Sequence, residues 1–348
     1  MAETLRIVHA AQFQLNKDGA RYFNTDQKIQ QGLVRLGHLV YAFSINDVAR
    51  MHSPLNNKSL GQRAANRALI RTCRNIRPHL LLLGHAQSIT ADTLAIIRNE
   101  LPDIRIALWY VDPLWDPKDI EHIYARRHLL DGIFATTAGP MLEALATDSC
   151  FAAYMPNPVD PSIECHRCFE KSSAELTYDL TYIGSDKRAS DRTRLLEQVR
   201  DTLDGELRFG IFGSLGGPAV FGAEREAILA GTKMAINLSR RNDVPLYSSD
   251  RMAQLMGNGI LTFCPDSAGF QELFGDDELV YFSDADDLAE KVRHYHAEDG
   301  ERQRIAERGW RKIFATCSNI TVTKSIVEQL VQPPAHLPSE LGAGKTHP

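Results

Sequence analysis

No apolar run in these 348 residues approaches the roughly 20 that a membrane-spanning helix needs. The N-terminal stretch "MAETLRIVHAAQF" lacks the basic start and apolar centre of a signal peptide and enters a strand at once. An excess of positive charge is also missing. Thirty-nine Lys and Arg stand against 44 Asp and Glu, a formal net charge of -5, so no general field recruits nucleic acid or an anionic membrane surface. The GxGxxG turn of a dinucleotide enzyme is absent, because "VHAAQFQLNKDG" has no glycine where the first strand must turn. Six scattered cysteines suit a reduced, cytoplasmic chain. Two of them, Cys165 and Cys168 in "ECHRCFE", have half of a zinc spacing with His166 between. Structural zinc needs a second pair, none exists, and the segment reads as a surface loop.

What is present alternates. "LRIVHAAQF", "LVYAFSI", "HLLLLGH", "IRIALWYVDP", "DGIFATT" and "CFAAYMPNP" are apolar runs of strand length. Between them lie capped helical patterns such as "NTDQKIQQGLVRLGH" and "ITADTLAIIRNELP". Near-continuous apolar strands separated by helices predict a parallel sheet covered on both faces. The pattern restarts after a proline-rich, polar joint, "MPNPVDPSIECHRCFEKSSAEL", which reads as a linker. "LTYDLTYIGS", "LRFGIFGS", "KMAINLS", "ILTFC" and "ELVYF" then supply a second set of strands. The expected fold is α/β: two tandem Rossmann-like domains facing a cleft, the first over 1–161 and the second over 162–331. The tail over 332–348, "QPPAHLPSELGAGKTHP", has no apolar period and reads as mobile.

Ligands of open parallel sheets sit at the carboxyl ends of the strands, so two such sheets place a site in the cleft between them. "GIFGSLGGP" is rich in glycine, but no clear helical period follows it, and it reads as a loop. "SSDRMAQLMGNGILTFC" reads as a short helix stopped by Gly259 and followed by a buried strand. Its first turn carries Arg251, a cation beside the positive end of the helix dipole. Either a ligand compensates that charge, or Arg251 is a surface cation paired with Asp250.

The residues "LTYIGS", "KMAINLS", "DRMAQLMGNGILTF", "GFQELF" and "ELVYFSDADDLAEKVRHYHAEDGERQRIAERGWRKI" resemble group-1 glycosyltransferases, in particular the branch named after the spore-maturation protein CgeB. The likeness runs over about the last half of the chain. It extends more loosely through "GHLVYAF", "LLLLGHAQSITADTLAIIR", "LWYVDP" and "NPVDP". It implies the two-domain GT-B architecture, a nucleotide-diphosphate sugar held on the second domain and an acceptor on the first. It also implies no cofactor and no metal ion at the site. The absence of a strand-end DxD loop agrees, since "SDADD" (283–287) reads as a turn into a helix cap.

Against the family's RxFExxAxG pattern, Arg251 and Gly259 match, while Gln254 stands where relatives carry the glutamate that binds the donor ribose. The partner acid of the broader pattern falls on Leu246. Gly269 is expected to let the backbone approach the donor and open a helix, and Glu272 matches the acid of the GxxE pattern. Gly184 and Ser185 end a strand, and Lys187, Arg188 and Arg192 follow as cations for a departing diphosphate.

On the first domain, His85 and Asp112 end strands on the cleft side. His85 is a candidate general base or acceptor-binding group. Asp112 is a base if the reaction inverts and an acceptor-binding acid if it retains. Trp109, Tyr110 and Trp115 would stack on a sugar or cap the core, and His9 is a further strand-end candidate. The whole reads as a bacterial-type cytoplasmic glycosyltransferase acting on a glycan, lipid-linked or protein acceptor, with peripheral membrane contact open and no nucleic-acid partner. A nucleotide-sugar epimerase, or a non-catalytic sugar-nucleotide-binding protein, is the alternative on the same architecture.

Overall fold

The computed structural model describes residues 4–185 and 190–331. The first half alternates β1 (Arg6–Ala11), α1 (Thr25–Arg35), β2 (Leu39–Ser44), α2 (Ile45–Met51), α3 (Lys58–Ile76), β3 (Leu80–Leu83), α4 (Ala91–Glu100) and β4 (Arg105–Tyr110). It continues through α5 (Pro117–Tyr124), β5 (Gly132–Ala135), α6 (Pro140–Glu143) and β6 (Phe151–Tyr154). These six strands form one sheet in the order β2-β1-β3-β4-β5-β6, with every pair parallel. Both faces are covered, which is why the strands lack polar alternation. Leu81, Leu83, Ile106 and Leu108 pack to one side, and Leu80, Leu82, Ala107 and Trp109 to the other.

The second half contains β7 (Tyr178–Ile183), α7 (Asp191–Thr202), β8 (Phe209–Phe212), α8 (Gly222–Ala230), β9 (Thr232–Ile236), α9 (Arg251–Gly257), β10 (Leu261–Pro265) and β11 (Val280–Phe282). Three helices follow, α10 (Ala285–Ala297), α11 (Asp299–Cys317) and α12 (Asn319–Val331). Its five strands form a second parallel sheet, β11-β10-β9-β7-β8. The α/β architecture of two Rossmann-like sheets is the one expected.

Three expectations need correction. The second unit was expected to run to residue 331, but α12 leaves it and packs on the first. Val322, Ile326 and Leu330 join the core of Ile7, Ile29, Leu33 and Trp109. The approach is close enough that a Cβ on Gly32 would lie 2.4 Å from the Asn319 carbonyl oxygen, so α1 needs glycine there.

The joint expected as a linker is pinned. Val159 exchanges backbone bonds with Cys317 and Asn319. The wholly buried Asp160 holds Arg35 at 2.7 Å and the Asn319 amide at 2.7 Å. Gly269, finally, does not open a helix. It is left-handed (φ 74°) between two short 3-10 turns, Asp266–Ala268 and Phe270–Glu272. Lys187, Arg188 and the tail over 332–348 lie outside the described residues.

Candidate active site

The loops at the carboxyl ends of the two sheets touch. Ala138 donates from its backbone to Pro245, the Asn157 amide donates to the Ser248 carbonyl, and Trp115 meets Tyr247 edge-on at 4.7 Å. His85 and Asp112 stand on one side of this seam, and Arg251 and Gly184 on the other.

His85 follows β3, and its imidazole is held at three points. Nδ1 lies 2.9 Å from an oxygen of Asp26 on α1. The ring sits edge-on to Trp109 at 5.1 Å, and Nε2 points toward the half-exposed Asp112, 3.8 Å away. Asp26 is itself buried, and its other oxygen accepts from the Gln12 backbone N–H at 2.9 Å. The carboxylate therefore fixes which ring nitrogen faces the cleft. Burial alone would lower the His85 pKa. The charge and hydrogen bond of Asp26, with the charge of Asp112, outweigh it and hold the value above ordinary.

His9 has a different role. It is fully buried between Gln30 and the indole N–H of Trp109, which donates to its Nε2 at 3.0 Å. Desolvation pushes its pKa down to about 4, so it is a neutral structural group. Trp109 is buried and Tyr110 nearly so, its hydroxyl donating to the Asp119 carbonyl. Both cap the core, leaving Trp115 at the seam.

Across the seam, Arg251 begins α9. Its guanidinium donates to the Ile183 carbonyl at the end of β7 and to the Leu238 carbonyl just past β9, each at 2.5 Å, with Tyr182 beneath it at 5.0 Å. Two strand-end carbonyls thus offset a cation at the wrong end of a helix dipole. Gly184 lies against it: a Cβ there would be 2.5 Å from the Tyr182 hydroxyl and 2.6 Å from the guanidinium. Arg192, in the first turn of α7, reaches back to the Ser185 carbonyl at 2.6 Å. The loop "GSLGG" past β8 abuts this point, with left-handed backbone at Gly213, Leu215 and Gly216. Glu272 is exposed on its 3-10 turn.

Gln254, expected to hold the donor ribose, has its side chain taken up by protein partners. It is 4% exposed, its amide donates to Asp250, and its oxygen accepts from the buried Arg225. Asp250 in turn accepts from Lys28 of α1 at 2.9 Å, and Lys28 also pairs with Glu164 at 2.7 Å. Asp250 therefore pairs with Lys28 across the two units rather than with Arg251.

Lys28 is wholly buried. Burial alone would lower its pKa, but two carboxylates more than compensate and it stays charged. One ammonium cannot favour both acids equally. Burial, together with the charge of Asp250, pushes Glu164 up to about 7 against the pull of Lys28. Asp26, Lys28 and Arg225 escaped sequence reasoning, and Asp250 was read only as a partner for Arg251. Lys28 and Asp26 are charged residues on the otherwise apolar face of α1, which is the one signal that could have flagged them.

Residues 188–328 match the family model described as glycosyl transferase-like. No curated protein matches the chain. Among solved structures, the sucrose-phosphate synthase of Thermosynechococcus elongatus is similar at TM-score 0.59 and 10% identity, covering 94% of this chain and 98% of that one. HepE of Anabaena, solved with UDP and glucose, is similar at 0.57 and 12%, covering 94% and 100%. A glycosyltransferase of Rickettsia africae is similar at 0.57 and 10%, covering 95% and 100%. Residues 188–328 therefore carry a glycosyl transferase-like domain, in a chain with the two-domain GT-B fold of these proteins.

Proposed function

We propose that the chain is a CgeB-like glycosyltransferase. It moves a sugar from a nucleotide-diphosphate donor on its second unit to a hydroxyl of a glycan, lipid-linked or protein acceptor on its first. The observation that carries this reading is the pairing of an aspartate-oriented imidazole, His85, with a strand-end guanidinium, Arg251, across one seam. His85 Nε2 takes the proton of the acceptor hydroxyl as that oxygen attacks the anomeric carbon. The bond from that carbon to the diphosphate oxygen breaks, and its electron pair leaves on the diphosphate. Arg251 and Arg192 offset the charge that develops there. Asp112, the other candidate base of an inverting reaction, instead binds the acceptor hydroxyl beside His85, whose Nε2 it faces at 3.8 Å. The backbone at Gly184, Ser185 and Gly269, with Glu272, lines the donor.

Protein cations supply the neutralisation, so no divalent ion is needed at the diphosphate. A single displacement driven by His85 inverts the anomeric configuration, whereas the group-1 resemblance implies retention; the tie of the imidazole to Asp26 is what favours inversion. The six free cysteines suit action in the cytoplasm. Among the described residues no helix is long and apolar enough to cross a membrane, so a lipid-linked acceptor would be met at the surface.

The test is product analysis with a panel of nucleotide sugars and acceptors, resolving the anomer by proton NMR. Equal amounts of nucleoside diphosphate and inverted glycoside are expected. Epimerised nucleotide sugar, or binding without turnover, would replace this function by the epimerase or the non-catalytic reading. A retained anomer would remove His85 as the base while keeping the transfer.

A further inference from the structure

The CxxC of the joint does not close on itself. Cys168 is buried, and its thiol donates to the Leu229 carbonyl at 3.3 Å. Cys165 is exposed and lies instead with its neighbour His166 and with Glu226 of α8. One ligand atom from each, the Cys165 sulfur, a His166 ring nitrogen and a Glu226 carboxylate oxygen, all lie within 4.8 Å of one another.

His166 supplies a second, independent observation. Its Nε2 is buried without a hydrogen-bond partner, although the Glu226 Oε1 atom is 3.5 Å away. The contact with Glu226 is longer than a hydrogen bond and leaves the ring nitrogen incompletely satisfied, which a cation shared by the two groups would relieve. The 3.5 Å between the His166 nitrogen and the Glu226 oxygen suits a shared cation. Zinc bonds of about 2.0–2.3 Å set tetrahedral ligand atoms roughly 3.3–3.8 Å apart.

The surroundings hold the donors in place. The Tyr22 hydroxyl donates to the other oxygen of Glu226, leaving Oε1 to point at His166. The His166 backbone N–H is tied to the Asn258 side chain at 3.1 Å. Fixing a carboxylate through its second oxygen is what an outer shell does at a metal site.

We infer that Cys165, His166 and Glu226 form a zinc site, with a fourth position open to water. Thiolate, imidazole and carboxylate together match zinc better than magnesium or calcium, which prefer oxygen alone. Ligation deprotonates the Cys165 thiol and releases that proton to solvent. Thiolate and carboxylate then balance the two positive charges. With three protein ligands the site is of the open type, and what it does for the fold is to join segments. It ties the joint to α8, and through Tyr22 it reaches the first unit. It is independent of the function proposed above and survives if that reading fails.

The experiment is a titration of the metal-stripped full chain with Co2+ under reducing conditions, followed by Zn2+. One equivalent of Co2+ should give the visible bands of a tetrahedral site and a near-ultraviolet sulfur-to-metal band, both erased by Zn2+. Among the described residues Cys165 is the one exposed cysteine, so a thiol reagent should find a single fast thiol that one equivalent of zinc protects. Cys165→Ser should abolish the sulfur band, and Glu226→Gln, which keeps an acceptor for Tyr22, should weaken cobalt binding at least tenfold. Both variants are read alongside their thermal melts, because a surface thiol and an isosteric amide should leave the fold intact. No tetrahedral bands in the wild type, or bands unchanged in Cys165→Ser, would overturn the site.

Discussion

His85 and Asp26 make the sharpest residue-scale claim. The imidazole must be neutral to accept a proton, and its pKa stands above the ordinary 6.5. Activity should therefore rise with pH through a midpoint above 6.5. The stabilisation from the His85–Asp26 ion pair runs the opposite way: it is complete below 6.5 and lost as pH rises through the raised value. Replacing His85 with alanine should lower kcat by about 10²–10⁴-fold. Asp26→Asn should lower kcat and move the midpoint of the kcat/KM profile to lower pH, because the charge that raises the pKa is gone. An unmoved midpoint would mean that Asp26 does not act through His85. The positions of His85 and Asp112 were legible in the sequence, because a buried apolar run announces where it stops, and that of Arg251 because a cation stands in the first turn of a short helix. Asp26 was not, since its partner lies 59 positions away, and Lys28 meets Asp250 across 222.

At the scale of elements, α1 does more than cover a sheet. It carries Asp26 to the cleft, Lys28 to the second unit and Gly32 to α12. A valine at Gly32 would collide with α12 backbone, which cannot rotate away as a side chain can. Gly32→Val should therefore destabilise the fold by about 1–3 kcal/mol or more in denaturant titration.

The triad around Lys28 gives a second element-scale expectation. Glu164 has a pKa raised from 4.5 to about 7 by burial, so the folded state holds a proton that the unfolded chain releases. Stability should fall as pH rises from about 4.5 through about 7, with an upper bound of about 3 kcal/mol. Comparing the wild type with Glu164→Gln at several pH values isolates this contribution. The wild type should lose ground to the variant across that window, and a constant difference would contradict the assignment. Helices and strands were readable from periodicity and caps. The return of α12 to the first unit was not, because an amphipathic helix does not say which of two cores receives its apolar face. The joint misled for a related reason: its prolines suggested a loose linker, yet Asp160 and Glu164 are buried by partners on α1 and α12.

At the scale of the molecule, two sheets meet at their carboxyl edges with a cation on one side and an oriented imidazole on the other. The metal-independent reading predicts that adding Mg2+ or Mn2+ leaves the transfer rate unchanged. Strong stimulation by either ion would instead place a divalent ion on the diphosphate. The central claim is the division of labour between the units, and calorimetric titration with nucleoside diphosphates tests it most directly. The wild type should bind one of them. Arg251→Ala should bind it about 10–100-fold more weakly, as expected for a lost charge-assisted contact. His85→Ala should bind it as the wild type does. Equal binding by Arg251→Ala, or binding lost in His85→Ala, would contradict the placement of the donor on the second unit.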